Sequence, residues 1–201
     1  MSKRTPGLPR RANGFWPTPR AAVAPLVPFL PRSAPYGEPC AGDGSLIEAL
    51  RDLWPMGACV WASDIDPKGP GIEQEDARQI PAWAADHVGL WITNPPWPEG
   101  GKRGDPALSI ITALMETAPV WSLLPWDFFA NRYFARLAPA CSDVVPIGRV
   151  SWMGNGQAGK DNACWARFEA QNRRPTALWP CRAPLKSPEF SSDNVTDGGR
   201  A

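Results

Sequence analysis

Four consecutive residues, Asn94-Pro95-Pro96-Trp97, carry the sharpest chemical pattern in the chain. Proline holds φ at about −65° and has no backbone N–H, so the pair offers carbonyl acceptors with no competing donor. Asn94 precedes a proline and is pushed towards extended geometry, which makes the turn rigid. The Asn94 side-chain oxygen and the Pro95 carbonyl are therefore two acceptors that could take the two N–H bonds of an exocyclic amine on a nucleobase. Such an amine is a poor nucleophile, because its lone pair is delocalised into the ring. Acceptors aimed at its N–H bonds would turn that lone pair towards an electrophile. Trp97 adds a flat face on which an extruded base can stack, a contact worth about 1–3 kcal/mol. Orientation and stabilisation of the developing positive charge would carry the reaction, with no strong general base required.

A second pattern is Glu38-Pro39-Cys40-Ala41-Gly42-Asp43-Gly44. Gly42 and Gly44 let the backbone turn sharply and approach a ligand closely, and a helix beginning just after them exposes unpaired N–H groups. Asp64 follows Gly44 by 20 residues at the end of the next predicted strand. That spacing suits a carboxylate accepting from both ribose hydroxyls of an adenosine-containing cofactor. Asp76, in Glu75-Asp76-Ala77-Arg78, falls where a third loop could meet the adenine amine. Taken without the tetrapeptide, the glycine loop and its acid suit an ordinary strand–helix turn equally well. The loop matches neither G-x-G-x-x-G nor G-x-x-x-x-G-K-[ST], which disfavours dinucleotides and nucleoside triphosphates there.

These loops need strands that end beneath them. Thr18-Pro19 opens an apolar-periodic run from Arg20 to Leu30, a predicted helix interrupted near Pro25 and Pro28. A helix from Ser45 places Leu46, Ile47, Ala49, Leu50 and Leu53 on one face. Cys59 to Ser63 reads as a short strand ending at Asp64, and Leu90 to Thr93 as a buried strand stopped by the tetrapeptide. After a charged, Gly-rich loop at 98–105, Pro106 to Thr117 reads as a helix, with Val120 to Leu124 and Ala163 to Phe168 as strands. Repeated strand–loop–helix order predicts an α/β fold: a doubly wound, mostly parallel sheet with helices on both faces, binding ligands outside the strands' carboxyl ends. Residues 1–14, with Lys3, Arg4, Arg10 and Arg11, read as a basic flexible arm, residues 15–182 as one domain and residues 183–201 as a disordered tail.

Composition narrows the class. The 201 residues fit one domain. No apolar run approaches the length of a bilayer span, and no apolar stretch follows the basic N-terminus as in a signal peptide, so a cytoplasmic protein is expected. Cys40, Cys59, Cys141, Cys164 and Cys181 are odd in number and form no C-x-x-C pair; they read as reduced, mostly buried thiols. A single histidine, His87, argues against histidine triads and His-rich metal sites, so no metal is expected. The net charge of +1 neither demands nor excludes nucleic acid. The 25 prolines favour short elements, and the 11 tryptophans suit either a large core or stacking surfaces for bases.

Together, Phe15-Trp16-Pro17-Thr18-Pro19, the Glu38 to Gly44 loop, Asp64-Ile65-Asp66 and Asn94-Pro95-Pro96-Trp97 resemble the amino-group DNA methyltransferases. The likeness is greatest to the short orphan adenine-N6 enzymes of phages and prophages, and it runs in order over about residues 15–168. It implies a Rossmann-like class I methyltransferase fold, S-adenosylmethionine as cofactor, and N6 of adenine in double-stranded DNA as target, reached by base flipping. It implies that Trp16, Pro17 and Thr18 cover the methionine part, with Thr18 near its carboxylate. Glu38 and the backbone of Ala41, Gly42 and Gly44 would cradle the amine and sulfonium. Asp64 would take the ribose, Ile65 and Ala77 would flank the adenine, and Asp76 would meet its amine. Asn94, Pro95, Pro96 and Trp97 would act on the target, with Asn94 also bordering the cofactor.

Trp97 stands where tyrosine or phenylalanine is more usual. No sizeable insert offers a separate target-recognition domain, so base reading falls to Lys102 and Arg103 in the 98–105 loop and to the segment from Arg149 to Lys160. That segment equally suits a β-hairpin turn, and Arg173, Arg174 and Arg182 suit phosphate contacts or plain solvation. Cytosine N4, an RNA amine or a protein glutamine are alternative targets, though glutamine-directed relatives usually carry an extra N-terminal helical domain. A non-catalytic nucleic-acid-binding module of the same fold is the alternative from another class.

Overall fold

A computed structural model describes residues 15–97, 106–152, 157–159 and 161–181. The expected arm at 1–14, the 98–105 loop and the expected tail at 183–201 lie outside them. Among the described residues four helices and eight strands make up the framework: α1 (Arg20–Val23), β1 (Ala34–Glu38), α2 (Ser45–Leu53), β2 (Gly57–Asp64), β3 (Glu73–Gln74), α3 (Ala82–His87), β4 (Leu90–Thr93), α4 (Pro106–Met115), β5 (Val120–Pro125), β6 (Cys141–Arg149), β7 (Asn162–Phe168) and β8 (Ala177–Leu178). Short 3-10 turns follow α1 at Val27–Phe29 and fill the β5–β6 connection at Trp126–Ala130, Arg132–Arg136 and Ala138–Ala140.

The strands form one sheet in the order β3-β2-β1-β4-β5-β7-β6-β8. Strands β3 to β5 pair in parallel, β7 runs antiparallel between β5 and β6, and β8 lies parallel to β6. The chain moves outward from β1 to β3 and then crosses back to β4 on the other side of β1. This reversal opens a crevice beyond the carboxyl ends of β1 and β4. Strand β4 is buried at every residue, as a central parallel strand covered on both faces must be.

Each face of the sheet carries its own core. On one, Trp61, Trp91, Ile111, Leu114, Val120 and Phe128 pack beneath α3 and α4. On the other, Leu46, Leu50, Ile92, Leu123 and Trp165 pack beneath α1 and α2. Buried indoles need a partner for their N–H. Trp54 donates to the Pro31 carbonyl at 2.8 Å, Trp91 to Thr117 Oγ1 at 2.9 Å and Trp165 to the Ala22 carbonyl at 2.7 Å. Many of the tryptophans are thus core residues, with Trp83, Trp126 and Trp179 exposed.

The helix expected from Arg20 to Leu30 ends at Val23, because Pro25 cannot donate and Pro28 permits only a 3-10 turn. Of the cysteines, Cys141 and Cys164 are buried, Cys40 and Cys59 half-buried and Cys181 exposed, and all are free thiols. His87 sits at the exposed end of α3, its Nδ1 2.6 Å from the Trp83 carbonyl. No helix among the described residues is long and apolar enough to cross a membrane.

Gly37, inside β1, faces the Trp91 ring; a Cβ there would lie 2.2 Å from it. Gly37→Ala should cost about 1–3 kcal/mol through overpacking, seen as a lower urea midpoint. An unchanged midpoint would show that the Trp91 ring can move aside.

Candidate functional site

The loop after β1 is built from its buried end outward. Glu38 is fully buried, and its Oε1 accepts from Thr93 Oγ1 at 2.7 Å and from the Cys40 N–H at 3.0 Å. Its Oε2 is enclosed and has no partner among the described residues. Desolvation raises the Glu38 pKa from 4.5 to about 8; the Thr93 and Cys40 hydrogen bonds oppose this and the Asp64 charge adds to it. Beyond Glu38 the Ala41 N–H donates to the Ser63 carbonyl at 2.9 Å and the Lys68 N–H to the Gly42 carbonyl at 2.8 Å, tying the loop to β2 and its exit. Gly42 has φ +54°, and a Cβ on it would strike the Phe15 ring at 2.5 Å.

Two further acids hold this loop system. Asp64 Oδ2 accepts from the Gly42 N–H and Oδ1 from the Asp66 N–H, both at 2.8 Å. Asp76 accepts from the Arg78 N–H at 2.9 Å and pairs with the Arg78 guanidinium through both oxygens. The side-chain hydrogen bond from Arg78, above all, holds the Asp76 carboxyl below the usual carboxylate range.

The turn after β4 meets the N-terminal segment. Asn94 Nδ2 donates to Thr18 Oγ1 at 3.0 Å, and no described residue donates to Asn94 Oδ1. Pro95 is buried. The Trp97 indole N–H donates to the Leu123 carbonyl of β5 at 3.0 Å. Its ring packs edge-to-face on Trp152, with centroids 5.3 Å apart and planes at 89°. Arg149 ends β6, exposed, opposite Asn162 of β7. Strands β6 and β7 pair antiparallel, and between them the Gly159 N–H donates to the Val150 carbonyl at 2.7 Å. Residues 153–156 and Lys160 of the segment expected to read the target lie outside the described residues.

A cavity of about 200 Å³ opens between these loops. Of the residues singled out in the sequence, Trp16, Pro17, Thr18, Ala41, Gly42, Asp64, Ile65, Asp76, Ala77, Asn94 and Pro96 line it. Glu38, Gly44, Pro95, Trp97 and Arg149 do not: Glu38 lies beneath the loop, and Trp97 turns towards β5 and Trp152. Lys102 and Arg103 lie outside the described residues. Sequence reasoning missed Lys68, Arg78, Ser109 and Ile110 as lining residues. Ile110 shares a helical face with Pro106, also on the wall, but only the fold shows which face α4 turns to the crevice. Among the described residues no cluster of histidine, cysteine or acidic side chains could hold a metal ion.

No protein-family model matches the chain, and no curated protein matches it in sequence. Solved structures do match in fold. A type I restriction-modification system methyltransferase subunit from Streptococcus thermophilus aligns with TM-score 0.59 and 9% identity, over 84% of this chain and 48% of that one. A modification subunit ascribed to a type I restriction enzyme in Vibrio vulnificus aligns with TM-score 0.54 and 15% identity, over 82% of this chain and 46% of that one. A protein from Agrobacterium tumefaciens solved as a predicted O-methyltransferase aligns with TM-score 0.51 and 14% identity, over 88% of this chain and 90% of that one. The chain thus spans about half the length of the two restriction-modification subunits. The architecture is the Rossmann-like class I methyltransferase fold.

Glu38 binds its proton more tightly folded, at about 8, than at its ordinary 4.5. Wild-type stability should therefore fall as pH rises between those values, by up to about 1.4 kcal/mol per pH unit. Glu38→Gln keeps the size and removes the titration, so in urea melts the variant should gain on wild type from pH 5 to pH 8. A difference that stays flat with pH would show that Glu38 does not hold this proton.

Proposed function

We propose that this protein transfers a methyl group from S-adenosylmethionine to an exocyclic amine, N6 of adenine in double-stranded DNA. The observation that carries the reading is the meeting at one cavity of Asn94 and Pro96 with the glycine loop, Asp64 and Asp76. The donor set fits the cofactor: acceptors on Asp64 and Asp76 suit hydroxyl and amine donors, while Trp16, Ile65 and Ile110 give apolar walls. The unpartnered Glu38 Oε2, behind the loop, adds a negative potential favourable to a cationic ligand whenever the group ionises. S-adenosylmethionine, when bound, supplies an electrophilic methyl group on a positively charged sulfur.

The chain's own residues do the rest. Asn94 Oδ1 and the Pro95 carbonyl accept the two N–H bonds of the target amine and turn its lone pair towards the cavity. The amine gains a bond to the methyl carbon as that carbon's bond to sulfur breaks, the bonding pair leaving with sulfur as a neutral thioether. The positive charge now on the amine is stabilised by these acceptors, and the amine then gives a proton to water. Trp97 and Trp152, with their rings at right angles, form an aromatic corner beside this turn where an extruded base can stack. Arg149, exposed at the end of β6, suits a reader of the target's base edges, the role also expected of Lys102 and Arg103. The restriction-modification neighbours support DNA as the substrate.

Labelled S-adenosylmethionine and unmethylated genomic DNA, followed by nucleoside digestion and mass spectrometry, test this directly. N6-methyladenine is the expected product. N4-methylcytosine would change the base and keep the mechanism, and absence of transfer from a cofactor-bound protein would remove DNA as the substrate. Asn94→Ala should abolish turnover and spare cofactor affinity; a variant near wild-type activity would sink its role. Asp64→Ala should weaken cofactor affinity by calorimetry at least a hundredfold, about what loss of two charge-assisted hydrogen bonds at about 1.5–3 kcal/mol each implies.

A further inference from the structure

The geometry points to Thr18 as a positioning residue that sets the polarity of the Asn94 amide in response to cofactor binding; the inference rests on the methyltransferase reading above. An asparagine side chain has nearly the same shape with its oxygen and nitrogen exchanged, but only one orientation can work here. With Oδ1 towards the target, Asn94 accepts from the amine; with Nδ2 there, two donors face each other and the site is dead. Thr18 decides between them. Its Oγ1 accepts from Asn94 Nδ2 at 3.0 Å, which leaves Oδ1 for the target. A hydroxyl also carries one proton to donate, and donating it to Asn94 Oδ1 would favour the reversed, dead orientation.

Thr18 lines the cavity and is only 4% exposed, so few acceptors can reach its proton. A ligand carboxylate in the cavity is such an acceptor. Once it accepts the hydrogen bond that the Thr18 hydroxyl donates, Thr18 can only accept from Asn94, and the productive orientation is locked. The support behind Thr18 is stiff. Pro17 and Pro19 flank it, Pro19 has φ −73° and ψ 151°, and α1, which follows, is held to β7 by the Trp165 indole N–H on the Ala22 carbonyl. The hydroxyl therefore passes one piece of information, the presence of a carboxylate-bearing ligand, to the residue that receives the target amine.

The test uses two adenosine probes, S-adenosylhomocysteine, which has the carboxylate, and methylthioadenosine, which lacks it. Protein labelled with nitrogen-15 asparagine shows few side-chain amide pairs, since the chain has seven asparagines; loss of one pair in Asn94→Ala identifies Asn94. We expect S-adenosylhomocysteine to slow hydrogen exchange of the Asn94 pair at least tenfold and methylthioadenosine to leave it unchanged, both bound at saturation. Equal protection by both probes, or by neither, would overturn the relay. If calorimetry detects binding of neither probe to wild type, the cofactor reading itself fails, and this inference with it.

Thr18→Val keeps the shape of the buried side chain and removes the hydroxyl. Turnover on genomic DNA at saturating S-adenosylmethionine should fall about 10²-fold, the usual cost of one misdirected oriented dipole, with affinity for S-adenosylhomocysteine reduced about tenfold or less. Thr18→Ser should restore turnover. A Val variant with wild-type turnover at saturation would reduce Thr18 to a cofactor contact, and a folded Ser variant as impaired as Val would exclude the hydroxyl as the relay.

Discussion

One oxygen atom, Glu38 Oε1, joins the two loops on which the site depends. It accepts at once from the Thr93 hydroxyl and the Cys40 amide, so the exit of β1 and the exit of β4, 55 residues apart in sequence, are pinned to one point. Thr93 immediately precedes Asn94, and Cys40 immediately precedes the loop's turn at Ala41 to Gly44. A shift at either exit would break a hydrogen bond in a dehydrated setting, where an unmet polar group costs about 1–3 kcal/mol. The carboxyl's other oxygen is already unmet among the described residues. The fold accepts that cost at the centre of its sheet, under the loop that bounds the cavity.

The strand order turns this local fixture into a site. Because the chain leaves β1 on one side towards β2 and β3 and returns on the other as β4, the two loops above β1 and β4 face each other with no connection crossing between them. Asp64 extends the same logic to β2, holding Gly42 by its Oδ2. The N-terminal segment closes the top: Phe15 lies where a Cβ on Gly42 would be, and Thr18 reaches Asn94. Each contact joins residues far apart in sequence. Strand pairing brings Asp64 to Gly42, and the docking of α1 on β7 through Trp165 anchors the segment that carries Phe15 and Thr18.

What could be read in the sequence was local. The glycine loop, the tetrapeptide, the helix from Ser45 and the apolar run of β4 stand in the structure where their chemistry placed them, since turn residues and continuous apolar runs carry their own signal. The antiparallel place of β7 between β5 and β6, the paired strand β8 and the 3-10 turns from Trp126 to Ala140 were not legible. Short turns of Trp, Phe and Tyr with no 3.6-residue period look like neither helix nor strand; they form because Phe128 buries itself and Phe129, Tyr133 and Phe134 pack around it. At the site, residue types announced Asp64 and Asn94. The Arg78 clasp on Asp76, the seclusion of Glu38 and the Thr18–Asn94 bond depend on side-chain directions set by tertiary packing.

The tryptophan in the tetrapeptide shows how one such direction matters. A phenylalanine in its place would have no N–H for the Leu123 carbonyl, and its ring would be free to turn about its bonds. Here the indole is tied to β5 by that hydrogen bond and blocked at right angles by Trp152. Its plane is therefore set before any base arrives. On the proposed reading, this lowers the ordering cost of stacking, since little side-chain freedom remains to be lost, and it narrows the range of base positions that can be held. Asn94 gains from the same restriction. An amide that discriminates donors by direction is useful only if the base is held in one plane, and Trp97 can supply that plane because its own is fixed from behind by the sheet.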